Sequence, residues 1–152
     1  MDSSIAQEWP AISVRQPWAE LLISGRKSIE IRSWAPEYRG RLWLHAGLKS
    51  DPEVERRFGL HDLYRGGFIG SIELIAIVPI TEERWIQWLD KHLDSGEHRG
   101  GLVAWMVGAP RRFHAPVPGR GQRNLFYPSA EIVQQLKRNE GGLESGEYDA
   151  VS

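Results

Sequence analysis

The chain of 152 residues is long enough for one domain with a hydrophobic core, and its 41% hydrophobic and 26% charged residues are typical of a globular protein. It has no cysteine, which excludes disulfides and thiolate chemistry, and no apolar run approaches the ~18 residues that span a bilayer. The N-terminus, MDSSIAQEWP, lacks the basic and apolar regions of a signal peptide, so we expect a cytoplasmic location.

The net charge of −1 conceals an uneven distribution of charge along the chain. Residues 139–152 carry four acids and no Lys or Arg, so residues 1–138 have a net charge of +3 (19 basic minus 16 acidic). Of the 19 basic residues, 15 are Arg, whose planar guanidinium suits bidentate or stacked contacts better than Lys does. This balance fits a phosphate-bearing partner, although +3 does not by itself establish one.

The same pattern divides the chain into three parts. We predict an N-terminal extension at residues 1–9, a single domain at 10–138 and a Gly-rich acidic tail at 139–152 that is disordered. The sequence contains no internal repeat and no interdomain linker.

Taken in chain order, hydrophobic periodicity predicts short strands separated by a few helices. The first half has strands at 11–14, 28–32 and 41–46, a helix from 17 to 25 and a helix at 51–60. The second half has a long strand at 66–80, a helix at 82–94, strands in GLVAWMV, RRFHAPV and NLFYP, and a last helix capped by Ser129. Strict βαβ alternation is absent, so the predicted fold class is α+β, a small closed or strongly bent β-barrel with packed helices.

The stretch GRKSIEIRSW, residues 25–34, places charges inside a predicted strand. Alternation puts Ile29 and Ile31 on one face and Ser28, Glu30 and Arg32 on the other, with Lys27 at the start of the strand. Periodicity alone favours a solvated face, since surface charge is common. Trp18 and Trp34 flank the stretch, however, and two indole faces beside charged groups suit a flat polar ring.

A second candidate region is GAPRRFHAPVPGRGQRN, residues 108–124, which holds four Arg, one His and no acid. Its Pro and Gly residues predict a loop-rich ribbon. This ribbon is either a solvated turn or an edge that tracks phosphates through its four arginines, Arg111, Arg112, Arg120 and Arg123.

The histidines do not indicate a metal site, because HExxH and HxH spacings are absent, and we expect neither a metal nor a cofactor. His92 lies on a Trp-rich helical stripe and is predicted to be a packed residue. His45 is a functional candidate because its strand follows the charged one. Alternation along that strand predicts Trp43 and His45 on one face and Leu42, Leu44 and Ala46 on the other. The motifs of serine hydrolases, P-loop proteins and dinucleotide-binding domains are also absent.

The segments SVRQPWAELLISGRKSIEIRSW and YRGRLWLHAG resemble the ASCH domain family of the PUA-like superfamily. The later GFIGSIELIAIV and APVPGRGQRNLFYP are similar to the C-terminal half of that family, so the resemblance spans roughly residues 10–128. It implies a small closed barrel with a cleft lined by the G-x-K-x-x-E-x-R motif. Within the family, the resemblance is closest to the short, single-domain branch, which carries an RQP[WY] motif. Gln16 lies in this motif.

The resemblance implies two classes of activity. Some ASCH domains are implicated in binding RNA or single-stranded nucleic acid, and others are amidohydrolases that remove the acyl group from N4-acylated cytidines. The enzymes use a Lys, a Thr three residues later and a distant Glu. Lys27 matches the Lys, whereas Glu30 stands in place of the Thr. The distant Glu has no unique counterpart among Glu73, Glu82, Glu83 and Glu97.

As an enzyme, the protein would act on a modified nucleoside. Lys27 would serve as base or oxyanion partner, Glu30 would activate water, and Ser28 is a weaker candidate nucleophile. The substrate-binding residues would be Arg32, Trp18, Trp34, Gln16 and His45.

As a binding module, the protein would hold a base in the same cleft while the four arginines of the ribbon contact phosphates. No membrane partner is expected, and the oligomeric state is open. The single compact domain and the modest charge of +3 favour the amidohydrolase, and nucleic-acid binding is the alternative.

Overall fold

The computed structural model describes the backbone of residues 8–151 and the side chains of residues 8–140. Within this part of the chain, five strands are formed: β1 (Ala11–Gln16), β2 (Ile29–Arg32), β3 (Gly40–Ser50), β4 (Gly67–Pro79) and β5 (Val103–Pro118). The helices are α1 (Trp18–Ile23), α2 (Pro52–Arg57), α3 (Glu82–Gln87), α4 (Leu89–His92) and α5 (Ala130–Val151). The predicted α+β class is confirmed.

The five strands form one sheet in the order β1-β3-β4-β5-β2. β1 pairs with β3 in parallel, and all other neighbours are antiparallel. The ladders of β4 with β3 and with β5 contain several register shifts, and such bulges bend a sheet.

The edge strands β1 and β2 approach each other without pairing. The Nη2 atom of Arg32 in β2 donates a hydrogen bond to the backbone oxygen of Ser13 in β1, at 3.3 Å. A side chain therefore spans the gap between the two edges, where a barrel would have a backbone ladder. The sheet is open, and the predicted small closed barrel is not confirmed.

The two faces of the sheet pack against different helices, as the alternation in β3 predicted. Leu42, Leu44 and Ala46 belong to a buried cluster with residues of α1. Trp43 belongs to a second cluster that includes Leu136 of α5. β3 is therefore an inner strand of the sheet with buried side chains on both faces.

Four predicted elements differ from those observed. The predicted helix at 82–94 is split at Trp88 into α3 and α4. GLVAWMV and RRFHAPV lie in one 16-residue strand, β5, because the chain continues to pair with β4 past Ala109, whose positive φ of 45° accommodates a local irregularity. NLFYP makes a single bridge, between Phe126 and Ala11.

The predicted acidic tail extends past the side chains that the structure describes. The acidic segment 139–152 coincides with the second half of α5, and its side chains beyond residue 140 lie outside the described residues. The domain bounds and the disorder of this segment stay predictions. In residues 8–151 no helix combines the length and apolar character needed to cross a bilayer, and the cytoplasmic location stays a prediction.

Candidate functional site

A cleft of about 1110 Å³ opens between the two edges of the sheet and the chain that follows β5. We call it the cationic cleft, and it is lined by Ser13, Arg15, Arg32, Trp34, His45, residues 47–49, Gly66 and residues 119–124. Residues 119–124 are termed the cleft loop. Three strands and one loop therefore contribute side chains to a single cavity.

The charged side chains that line this cleft are all cationic. Five of its lining residues are cationic: Arg15, Arg32, Lys49, Arg120 and Arg123. Among the described residues, no Asp or Glu lines it. A concave surface lined by one sign of charge concentrates the field and attracts polyanions.

One wall of the cleft is made by Arg32 and Trp34, which we call the Arg32–Trp34 wall. The Nε atom of Arg32 donates to Oε2 of Glu30 at 2.9 Å, and the Arg32 side chain is 23% exposed. Trp34 packs edge-to-face on Trp105 with ring centroids 4.9 Å apart, and the Trp105 indole donates to the backbone oxygen of Trp34 at 3.1 Å. Both wall residues are thus held in place while remaining partly open to the cleft.

The floor of the cleft contains a hydrogen-bonded pair, Ser13 and His45. Nδ1 of His45 lies 2.9 Å from Oγ of Ser13, and Nε2 lies 2.8 Å from the backbone oxygen of Gly119. A carbonyl can only accept, so Nε2 carries the proton and the neutral ring accepts from the Ser13 hydroxyl at Nδ1. Burial lowers the pKa of His45, which keeps this neutral form populated.

The cleft loop rests directly on this pair. A Cβ placed at Gly121 would lie 2.7 Å from both Cε1 of His45 and Oγ of Ser13, so only glycine permits this approach. The His45–Gly119 hydrogen bond and the Gly121 contact together fix the loop that carries Arg120 and Arg123.

Lys27 does not line the cleft. It is 3% exposed, and its Nζ donates to the backbone oxygen of His92 at 2.6 Å and lies 3.7 Å from Oε1 of Glu30. Nζ also lies 4.8 Å from the centre of the Trp18 ring. Burial is the largest influence on its pKa and lowers it, while the charge of Glu30 raises it.

The charged residues of the motif therefore form a row from the interior to the surface. Lys27 is at the buried end, Glu30 is in the middle, and Arg32 reaches the cleft. The structure brings the three together, and of these it places only Arg32 in the cleft.

Three other predicted site residues lie away from the cleft. Gln16 is buried, donating to the backbone oxygen of Tyr64 and accepting from the backbone N–H of Glu20 at the start of α1. Trp18 packs against the core and against Phe58. Ser28 takes part in backbone hydrogen bonds, to Lys91 and Val107.

The four arginines of the predicted ribbon separate into two pairs. Arg120 and Arg123 line the cleft. Arg112 in β5 forms a two-pronged ion pair with Glu20 of α1, at 2.9 and 2.6 Å, and the hydrogen bond raises its pKa. Arg111 pairs with Glu140 at 3.4 Å. The second pair is engaged with carboxylates outside the cleft.

Sequence reasoning missed Ser13, Arg15 and Lys49 as cleft residues. Ser13 and Arg15 alternate in β1 with the buried Ile12 and Val14, so strand alternation could have placed both on the polar face. Lys49 lies near the end of β3, beyond the predicted strand at 41–46, and carries no comparable signal.

Among the described residues, no group of three His, Asp or Glu side chains is arranged to hold a metal ion.

The match to a family model identifies the class of protein. The model of the ASCH domain matches residues 12–116, which is more than half of the chain. The chain belongs to the ASCH domain family, and this confirms the family that the sequence motifs predicted.

Curated proteins similar to this chain include activating signal cointegrator 1 from Homo sapiens, 47% identical over 141 residues, and the same protein from Mus musculus, 46% identical. Each match covers 84% of this chain and 23% of the relative, so the chain spans less than a quarter of their length.

Solved structures give the same fold. ASCH from Zymomonas mobilis matches with a TM-score of 0.64 over 86% of this chain and 94% of that chain, at 18% identity. A mutant of it matches with a TM-score of 0.63, also at 18% identity, over 87% and 98% of the two chains. At this identity the likeness establishes the fold alone.

Proposed function

We propose that the domain binds single-stranded nucleic acid, RNA in particular, in the cationic cleft. The observation that carries the proposal is the composition of the cleft: five cationic side chains, no described acid and a partly open indole. Cationic side chains bind phosphates, and a partly open indole can stack with a base. Stacking on an aromatic side chain needs a base that is not paired, which favours a single strand.

The size of the cleft supports a short, single-stranded ligand. Its volume of about 1110 Å³ slightly exceeds the roughly 300–1,000 Å³ of most small-molecule pockets. A few unstacked nucleotides fit such a space, whereas a duplex would contact only its rim. Leu48, which is 80% exposed, adds apolar surface beside the cations for a base to cover.

The residues have distinct roles in this proposal. Arg120 and Arg123 on the cleft loop contact phosphates, and Arg32 reads either a phosphate or a carbonyl oxygen at the wall. Trp34 stacks with a base. His45 and Ser13 hold the loop in position and offer hydrogen-bonding groups at the floor.

The test compares two double variants in binding to a fluorescent octauridylate over a range of salt concentrations. Arg120→Ala/Arg123→Ala should weaken binding and flatten the plot of log affinity against log salt by about 1.4, or about 0.7 for each lost phosphate contact. Lys137→Ala/Arg138→Ala removes the same charge from exposed positions outside the cleft, and should change the slope by much less.

Equal slopes for the two double variants would refute the cleft as the binding site. Absence of binding by the unmodified protein at low salt would refute the proposed function itself.

A second candidate function is hydrolysis of N4-acylated cytidines. The observation that favours it is the row of charged residues, in which a Lys of lowered pKa is paired with Glu30 beside Arg32 at the cleft. The geometry supports it less well, because Nζ of Lys27 is buried and bonded to the backbone oxygen of His92, so it does not face the space where a substrate would lie.

Incubation with a panel of N4-acylated cytidines, with release of free cytidine as the readout, tests the second candidate. Turnover that Lys27→Ala abolishes would establish it. No turnover with any acyl size would remove it and leave the binding function untouched.

A further inference from the structure

A second cavity adjoins the cationic cleft at the Arg32–Trp34 wall. This second cavity measures about 320 Å³ and is lined by Ile31, Arg32, Ser33, Trp34, Trp85, Asp94, Arg99 and Leu102. Arg32 and Trp34 line both cavities, so the two cavities meet at this wall. A ligand that passes over this wall would occupy two compartments at once.

The second cavity has the chemistry of a polar subsite. Arg99 is exposed and, within the described part of the chain, makes no ion pair. Asp94 accepts a hydrogen bond from the backbone N–H of Gly96 through Oδ1, at 2.8 Å, which leaves Oδ2 available as an acceptor. Ser33 adds an exposed hydroxyl. The cavity thus presents a cation, an acceptor and a hydroxyl along an aromatic wall.

These groups match the parts of a nucleotide. A free guanidinium such as Arg99 pairs with a phosphate, and a carboxylate accepts from the amino or imino N–H groups on the edge of a base. A volume of about 320 Å³ is at the small end of ligand pockets and suits one base with its sugar.

We propose that a single strand crosses the Arg32–Trp34 wall, with one nucleotide in the cationic cleft and its neighbour in the second cavity. This inference rests on the proposed function and extends it from a binding cleft to two adjoining subsites. Arg32, which reaches both compartments, contacts the phosphate that links the two nucleotides. Arg99 contacts the next phosphate.

The position of Arg32 supports this path. Arg32 lines both cavities, and its guanidinium is held before any ligand arrives, because Nε donates to Glu30 and Nη2 donates to the backbone oxygen of Ser13. A preorganised donor loses less entropy when it binds phosphate.

The experiment measures octauridylate affinity and its salt slope for Arg99→Ala, with Arg138→Ala as the matched loss of an exposed arginine outside both cavities. Arg99→Ala should weaken binding about fivefold at 0.1 M salt and reduce the slope by about 0.7, as expected for one phosphate contact on a single strand. Arg138→Ala should leave both unchanged.

A second variant, Ser33→Phe, fills the second cavity without altering charge. It replaces an exposed side chain, so folding can be verified by an unchanged melting temperature. Weakened octauridylate binding in a folded Ser33→Phe would support occupation of the cavity.

If both Arg99→Ala and Ser33→Phe bind as the unmodified protein does, while Arg120→Ala/Arg123→Ala binds weakly, the second subsite is overturned and the cleft remains. If the unmodified protein binds no octauridylate at low salt, the proposed function fails and this inference fails with it.

Discussion

At the scale of single residues, the distinguishing feature is an ion pair that water scarcely reaches. Lys27 and Glu30 are 3% and 9% exposed, and Glu30 also binds Arg32, the only one of the three that lines the cleft. Two predictions follow from how this row is built, one for the buried end and one for the middle.

Lys27, at the buried end of this row, makes the stability of the protein depend on pH. Because burial lowers the pKa of Lys27 below 10.5, the unfolded chain binds a proton that the folded chain has released, in the range between the lowered value and 10.5. The free energy of unfolding therefore gains a contribution that grows as the pH rises through this range. It is complete above the unfolded-state pKa and is lost as the pH falls.

Urea unfolding of the unmodified protein and of Lys27→Met at pH 7 and pH 10 measures this contribution. The difference between the two proteins should increase in favour of the unmodified one at the higher pH. Lys91→Met, which removes an exposed lysine nearby, should show no such increase. A Lys27→Met difference that stays constant with pH would contradict the buried position of this ammonium group.

Glu30, the middle residue of the row, positions Arg32. Glu30→Gln removes a negative charge, which by electrostatics alone should strengthen the binding of a polyanion. We expect the reverse, a loss of roughly three- to tenfold in octauridylate affinity, because the wall arginine loses its hydrogen bond to a charged group.

Glu30→Gln should also destabilise the protein by about 3 kcal/mol, since it leaves Lys27 buried without its counter-charge. Affinity is measured at a temperature where the variant is folded. Tighter binding by Glu30→Gln would contradict the positioning role.

At the scale of elements, the cleft depends on how the cleft loop is fastened to the edge of the sheet. His45 in β3 and Ser13 in β1 are register partners, and they hold the loop through Gly119 and the close approach of Gly121. Function at this scale resides in a loop positioned by a rigid scaffold.

Gly121→Ala should displace the cleft loop. The added methyl group would lie 2.7 Å from a histidine ring that two hydrogen bonds hold in place, so the loop backbone must move. We expect a stability loss of about 1–3 kcal/mol, typical of overpacking, together with weaker octauridylate binding.

The control for Gly121→Ala is Gly100→Ala, because a Cβ at Gly100 meets no atom within 4 Å. Thermal unfolding and affinity should both be unchanged in the control. An unaltered affinity in Gly121→Ala would show that the loop's position does not matter for binding.

At the scale of the whole molecule, the sequence predicted local features well. Alternation in β3 correctly separated Leu42 and Leu44 from Trp43, and the segments around Arg32 and Arg120 both reach the cleft. These features depend on residues close together in the chain, where the alternation of side chains along a strand shows which face of the sheet each one occupies.

What could not be predicted depends on contacts between distant parts of the chain. The backbone oxygen that binds Lys27 is 65 residues away, and the carboxylate that binds Arg112 is 92 residues away. No local pattern reveals these partners, so the sequence could not show that Lys27 is enclosed or that Arg112 is engaged outside the cleft. Whether the sheet closes depends on how near its two end strands, β1 and β2, come to each other, and this also involves distant parts of the chain.

The overall arrangement is an open sheet whose edges leave a cationic cleft between them, and the central claim is that a single strand binds there. The most direct measurement is a titration of ¹⁵N-labelled protein with octauridylate at low salt, followed by assigned amide and indole N–H resonances. We expect shifts concentrated at the cleft loop, at residues 47–49 and at the indole of Trp34. A separate groove is lined by Arg57, Phe58, Ile86 and Leu93, among others. Shifts concentrated at that groove, with the cleft resonances unmoved, would contradict binding in the cleft.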